Sequence, residues 1–124
     1  MVLGVGIDVV HVDRIRHWRG VPGLYDRFFN PEELASALPR GEVGILSLAA
    51  RFAAKEAFGK ALGSGLRHFS LREVSVLNDS NGKPFMVLTG SAEAAFTEFG
   101  GRRIVVSLSH ERDNALAVVI IEGD

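Results

Sequence analysis

Gly44-Ile45-Leu46-Ser47-Leu48-Ala49-Ala50-Arg51-Phe52-Ala53-Ala54-Lys55-Glu56-Ala57-Phe58-Gly59-Lys60-Ala61-Leu62 is the stretch that decides the fold. Alanine and leucine, the best helix formers, dominate it. Ile45, Leu48, Ala49, Phe52 and Ala53 recur at helical spacing and make one apolar stripe. The run predicts a helix from about Gly44 to Leu62, stopped by Gly63-Ser64-Gly65. No other segment carries so strong a helix signal.

Upstream, Val2 to Val10 mixes β-branched residues with Gly4 and Gly6 and reads as a buried strand. Its glycines would let another backbone or a ligand come close. A short polar helix is expected from about Val12 to Arg19, broken by Gly20 and Pro22. Asn30-Pro31-Glu32-Glu33 is a helix start, with Asn30 as the cap, and that helix should stop near Pro39. Downstream, Leu71 to Leu77 and Pro84 to Leu88 read as strands joined by a hairpin at Asn81-Gly82. Ser91 to Phe99 fits a helix. Arg103 to Ser109 and Ala115 to Ile121 fit two closing strands linked by His110 to Asn114. This order predicts an α+β fold with a mainly antiparallel sheet packed with one long helix and shorter ones.

The chain has 124 residues, a length that suits one domain spanning 1–124. Hydrophobic residues make up 47%, enough for a real core. With 14 Lys+Arg against 15 Asp+Glu the formal net charge is -1, so no overall field draws it to nucleic acid or an anionic membrane. Any anionic partner must meet a local basic cluster. The absence of cysteine excludes disulfides, thiolate zinc sites and thiol catalysis. No apolar run approaches the roughly 20 residues of a membrane helix. The N-terminal run lacks the basic start of a signal peptide. A soluble cytoplasmic protein is expected.

The long helix also carries the chemistry. Glu56 lies four residues after Phe52, on or beside the apolar stripe. A carboxylate there is partly desolvated unless something positive meets it. Lys60 follows by four on the same face, and Arg51 and Lys55, also four apart, form a basic row beside it. Two readings stand on spacing alone. One is an ordinary Glu56–Lys60 pair on a solvated face. The other is a metal carboxylate beside phosphate-binding cations. Magnesium takes one or two protein carboxylates and completes its shell with water and phosphate, so the second reading needs another carboxylate. Asp8, after Gly4-Val5-Gly6-Ile7, is the candidate, although it could equally mark the strand's exit into solvent or cap the next helix. His110, in the loop just past a strand, is either a binding group or an ordinary hydrogen-bonded histidine. No close histidine pair supports zinc.

Taken together, Gly4-Val5-Gly6-Ile7-Asp8 with Arg14, Arg51-Phe52-Ala53-Ala54-Lys55-Glu56-Ala57 with Lys60, Asn81-Gly82-Lys83-Pro84, and Ser107-Leu108-Ser109-His110 resemble the holo-acyl-carrier-protein synthase family of phosphopantetheinyl transferases. The segments lie in family order and span almost the whole chain. The resemblance implies transfer of 4'-phosphopantetheine from coenzyme A to a serine of apo acyl carrier protein, in fatty-acid or polyketide synthesis. It implies magnesium held by Asp8 and Glu56, with Lys60 also facing the diphosphate. Arg51, Lys55 and His110 would hold coenzyme A, with Arg51 and His110 on its 3'-phosphate. Gly63, Gly65 and Pro84 would shape the adenine end. Arg14 would meet the carrier protein, with Arg16 and Arg19 extending that patch by charge alone. Glu56, directly or through a metal-bound water, would take the serine proton. The family further implies a homotrimer with sites shared between subunits. No role transfers to Glu111. Two other readings use the same residues: a magnesium-dependent nucleotide pyrophosphohydrolase, and a non-catalytic module that binds coenzyme A or acidic proteins.

Overall fold

A computed structural model describes residues 1–124. The first strand, β1 (Val2–His11), runs directly into α1 (Val12–Trp18). Two short helices follow, α2 (Leu24–Phe28) and α3 (Pro31–Ala37), then a 3₁₀ turn at Leu38–Arg40. The long helix α4 (Glu42–Leu62) comes next. A hairpin of β2 (Val74–Asn78) and β3 (Pro84–Leu88) leads to α5 (Gly90–Glu98) and then to β4 (Arg103–His110) and β5 (Asn114–Glu122).

Local chemistry explains most boundaries. Asn30 accepts from the Glu33 N–H while Glu33 reaches back to the Asn30 N–H, so α3 begins in a capping box. Gly63 ends α4 with φ 80°, a left-handed geometry that costs glycine nothing. Two elements differ from expectation. The five-residue α2 has no sequence signal, and Leu71–Glu73 forms a 3₁₀ turn where a strand was expected. Ser70 and Glu73 form a second capping box there, which bends the chain into a turn before β2 can start.

All strand pairs are antiparallel, as expected, but they fall into two sheets: β1-β5-β4, and the separate hairpin β2-β3. Helix α4 packs across β1 and β5, and 25 buried residues form one core around it. Its burial exceeds the single predicted stripe, for 15 of its 21 residues are buried and neighbours cover it on several sides. Phe52 and Phe58 are almost wholly sealed, each contributing roughly 1.5–3 kcal/mol by burial. Beyond the sheet, Val5, Ile7 and Val9 on the opposite face are 58%, 56% and 56% exposed. No helix is long and apolar enough to cross a membrane.

Candidate active site

The two-residue period of β1 decides where Asp8 points. Gly4, Gly6, Asp8 and Val10 share one face, and that face meets α4. A Cβ on Gly6 would lie 1.9 Å from the Ala57 carbonyl oxygen, and one on Gly4 would lie 2.0 Å from that of Ala61. Strand and helix therefore touch backbone to backbone, as the glycines suggested. The next residue on that face, Asp8, is carried to the flank of α4 where Glu56 and Lys60 stand.

Lys60 Nζ donates to Asp8 Oδ1 at 2.9 Å and to the Ile7 carbonyl at 3.0 Å. The Asp8 side chain is only 16% exposed, so this bond is a constrained contact rather than a loose surface pair. Glu56 is half-buried. Partial burial, and then the negative charge of Asp8, push its carboxyl above the usual range, while Arg14 and Lys60 pull it back. Arg14, exposed on α1, lies with its guanidinium carbon 5.2 Å from the Trp18 ring centroid and 5.3 Å from that of Phe52. Asp8, Glu56, Lys60 and Arg14 thus form one cluster. Arg16 does not extend it, because Asp13 and Glu42 both pair with its guanidinium.

A second site lies across α4. Arg51 precedes Glu56 by five residues, about 140° around the helix. It lines an open cleft of about 460 Å³ together with Pro84 and His110. Arg51 is 3% exposed. Its Nε donates to the Val76 carbonyl at 2.8 Å and its Nη1 to Ser47 Oγ at 2.5 Å. Its remaining nitrogen, Nη2, makes no bond within the protein and is not sealed from solvent. His110 is the last residue of β4 rather than a loop residue, paired with Ala115 across the sheet, and it is exposed to the cleft. Arg40 and Lys83 also line it. Sequence reading missed both as site residues. Lys83 lay within the quoted hairpin motif, whereas Arg40 carried no signal beyond its charge.

Lys55 requires a correction. It does not reach the cleft: the side chain is fully buried and Nζ binds Glu33 Oε1 at 2.6 Å and the Leu71 carbonyl at 2.9 Å. The Phe29 ring centroid is 5.3 Å away. Burial lowers its ammonium pKa, and Glu33 opposes that shift. The predicted basic row of Arg51 and Lys55 beside Glu56 therefore does not form, since Lys55 is sealed by Glu33 and Arg51 is held by Val76 and Ser47 with only Nη2 left unpartnered. Gly63 and Gly65 lie past Lys60 at the end of α4, not in the cleft with Pro84. Within one chain the two halves of the expected site stay apart.

The Asp8–Glu56 pair fits a magnesium ion. No group of three or more metal-ligating side chains occurs, which rules against an all-protein cage. Two adjacent carboxylates, one destabilised in its charged form by the other, are the donor set of an ion that takes its remaining ligands from water and phosphate.

Comparison with known proteins identifies the family. The family model of the 4'-phosphopantetheinyl transferase superfamily matches residues 4–119. The holo-[acyl-carrier-protein] synthase of Treponema denticola is 52% identical over 123 residues, covering 99% of this chain and 100% of the relative. That of Treponema pallidum is 47% identical over 124 residues, covering 100% and 98%. Among solved structures, the synthase of Neisseria meningitidis superposes with a TM-score of 0.88 at 36% identity, covering 98% of this chain and 99% of that one. The Bacillus anthracis synthase, solved in complex with CoA (3',5'-ADP), gives 0.83 at 29% identity, covering 100% and 99%. The chain therefore belongs to the 4'-phosphopantetheinyl transferase superfamily, among the holo-[acyl-carrier-protein] synthases.

Proposed function

We propose that this chain, as one domain over residues 1–124, transfers 4'-phosphopantetheine from coenzyme A to a serine of apo acyl carrier protein in the cytoplasm. The single observation that supports this most is the contact of β1 with α4, which sets Asp8, Glu56 and Lys60 side by side. Asp8 and Glu56 would hold magnesium, which when bound would offset negative charge on the diphosphate of coenzyme A. Lys60 adds a positive charge at the same place. The serine oxygen attacks the phosphorus nearer the pantetheine. The bond from that phosphorus to the bridging oxygen breaks, and adenosine 3',5'-bisphosphate leaves. Glu56, directly or through a water, takes the serine proton. The rest is alignment and charge stabilisation. Arg14, exposed beside this cluster, would receive an acidic residue of the carrier. Fatty-acid synthesis is the pathway this product would serve.

Mass spectrometry of an apo carrier protein, after incubation with this chain, coenzyme A and magnesium, tests the reaction. A gain of one phosphopantetheine is expected. Release of the bisphosphate without any carrier would instead mark a pyrophosphohydrolase, and tight binding with no turnover a binding module.

The cleft would hold the nucleotide end: Arg51 and His110 the 3'-phosphate, Pro84 the adenine side. Arg51→Ala should weaken coenzyme A by about tenfold or more but 3'-dephospho-coenzyme A little, because a charge-assisted contact is lost. Equal losses in a titration with both ligands would sink that assignment.

A homotrimer with shared sites would explain the divided geometry. Val5, Ile7 and Val9 sit opposite Ile120, Val118 and Leu116 in register, and Val105 extends the first row. The result is an apolar patch, exposed on β1 and half-buried on β5, in one chain. If copies pair through it, Asp8–Glu56 of one copy can meet the cleft of the next. Ile7→Lys should give monomers by light scattering and little transfer. Glu56→Gln mixed with Arg51→Ala should regain part of the activity that each lacks alone. A mixture as inactive as its parts would place both halves of the site in one chain.

A further inference from the structure

The buried Glu33–Lys55 pair takes no part in the chemistry proposed above, yet it is the most enclosed charge in the molecule. Both side chains are 0% exposed. A buried ion pair is a poor stability device, since well-packed apolar residues often do as well. Its contacts point elsewhere. Glu33 Oε2 accepts the Val76 N–H at 3.0 Å, and Arg51 Nε donates to the carbonyl of that same Val76 at 2.8 Å. The outward edge of β2 is thus closed by two side chains instead of a third strand. A two-stranded hairpin is marginal on its own, so these bonds decide where it sits. Asn78, Gly82, Lys83 and Pro84 of the hairpin form one wall of the cleft. Val76 and Ser47 hold the Nε and Nη1 of Arg51, a residue that lines that cleft, and leave Nη2 without a partner in the protein.

We propose that Glu33 and Lys55 are positioning residues for the coenzyme cleft, acting through Val76 to set both the Arg51 guanidinium and the hairpin wall opposite it. The inference rests on the reading of that cleft as the site of the 3'-phosphate. Lys55 fixes the Glu33 carboxylate, and its bond to the Leu71 carbonyl secures the turn that leads into β2. The pair bonds Leu71 and Val76 and makes no bond to Asp8, Glu56 or Lys60, so its loss should alter recognition of the nucleotide end and leave carrier recognition intact.

The test is the ratio of dissociation constants for coenzyme A and 3'-dephospho-coenzyme A, measured by calorimetry on the full chain. The double variant Glu33→Gln/Lys55→Met removes the pair without stranding a charge. It should cut the parent's preference for coenzyme A at least about fivefold, with the carrier KM little changed. A core control, Ile45→Val, should keep the preference. An undiminished preference in the double variant, or an equal loss in Ile45→Val, would overturn the proposal. If the double variant does not fold, Glu33→Gln is read in the same way, because it keeps the shape of the side chain and removes the charge on which Lys55 closes. A parent that does not discriminate between the two ligands would overturn the assignment of the cleft, and this inference with it. Discrimination in the parent, retained in the variants, would overturn only the role of the pair.

Discussion

Glu56→Gln is expected to reduce phosphopantetheine transfer by at least about a hundredfold, the scale on which losing one aligned charge-stabilising group is felt. The substitution keeps the shape and removes the charge, so the loss reads out the carboxylate itself. Stability should move the opposite way. The folded-state carboxyl of Glu56 sits above its unfolded value because of partial burial and Asp8. The folded protein therefore binds a proton that the unfolded chain has already released, and stability without metal falls as pH rises through that window. Above it the penalty is complete; below the ordinary glutamate pKa it is absent. Metal-free Glu56→Gln should accordingly melt higher than the parent at pH 8, with the gap closing as pH falls. Magnesium should raise the melting temperature of the parent and leave that of the variant unchanged. A variant that keeps normal turnover, or a metal response equal to the parent's, would remove Glu56 from the proposed metal site. The trade of stability for a poised charge is common at functional sites.

How much of this was legible in the sequence depends on how far away the deciding residue stands. Helix α4 was readable because its signals are local: alanine, leucine, a stripe, and glycines that stop it. The convergence of Asp8 and Glu56 was half readable. Gly4, Gly6 and Asp8 alternate, so they must share a face of β1, and two glycines on one face predict a close neighbour. Which neighbour was not stated by spacing, and the family resemblance supplied it. Spacing put Lys60 on the face of Glu56 and Lys55 in a row beside it, but could not say which of the two is buried. What separates them is Glu33, 22 residues before Lys55, which seals one and leaves the other at the surface. The short α2 was hidden for a related reason. Five residues cannot nucleate a helix unaided, and this one is held by packing of Phe28 on Trp18 and Phe52. The turn at Leu71–Glu73 was readable in principle from Ser70 and Glu73, but the segment was read as part of the strand that follows it.

Gly6→Ala tests the cause of the site rather than one of its members, and a large effect is expected from a single methyl group. The added Cβ would stand 1.9 Å from the Ala57 oxygen, 2.8 Å from the Ala61 nitrogen and 2.9 Å from the Ala57 carbonyl carbon. All three are backbone atoms, so no side chain can swing aside. Strand β1 and helix α4 must separate by about an ångström, at a cost of roughly 1–3 kcal/mol or somewhat more. Asp8 lies two residues further along the same face, and Glu56 adjoins Ala57. The separation therefore passes straight into the distance between the two carboxylates. Misplacement on that scale can cost on the order of a hundredfold in rate. We expect Gly6→Ala to lose transfer far beyond its loss of folded protein, with a weakened thermal response to magnesium. Gly20→Ala is the matching control: its Cβ would meet only the His17 oxygen at 3.8 Å, an ordinary contact. A folded Gly6→Ala protein with parental activity would mean that the placement of the two carboxylates does not depend on the glycine contact.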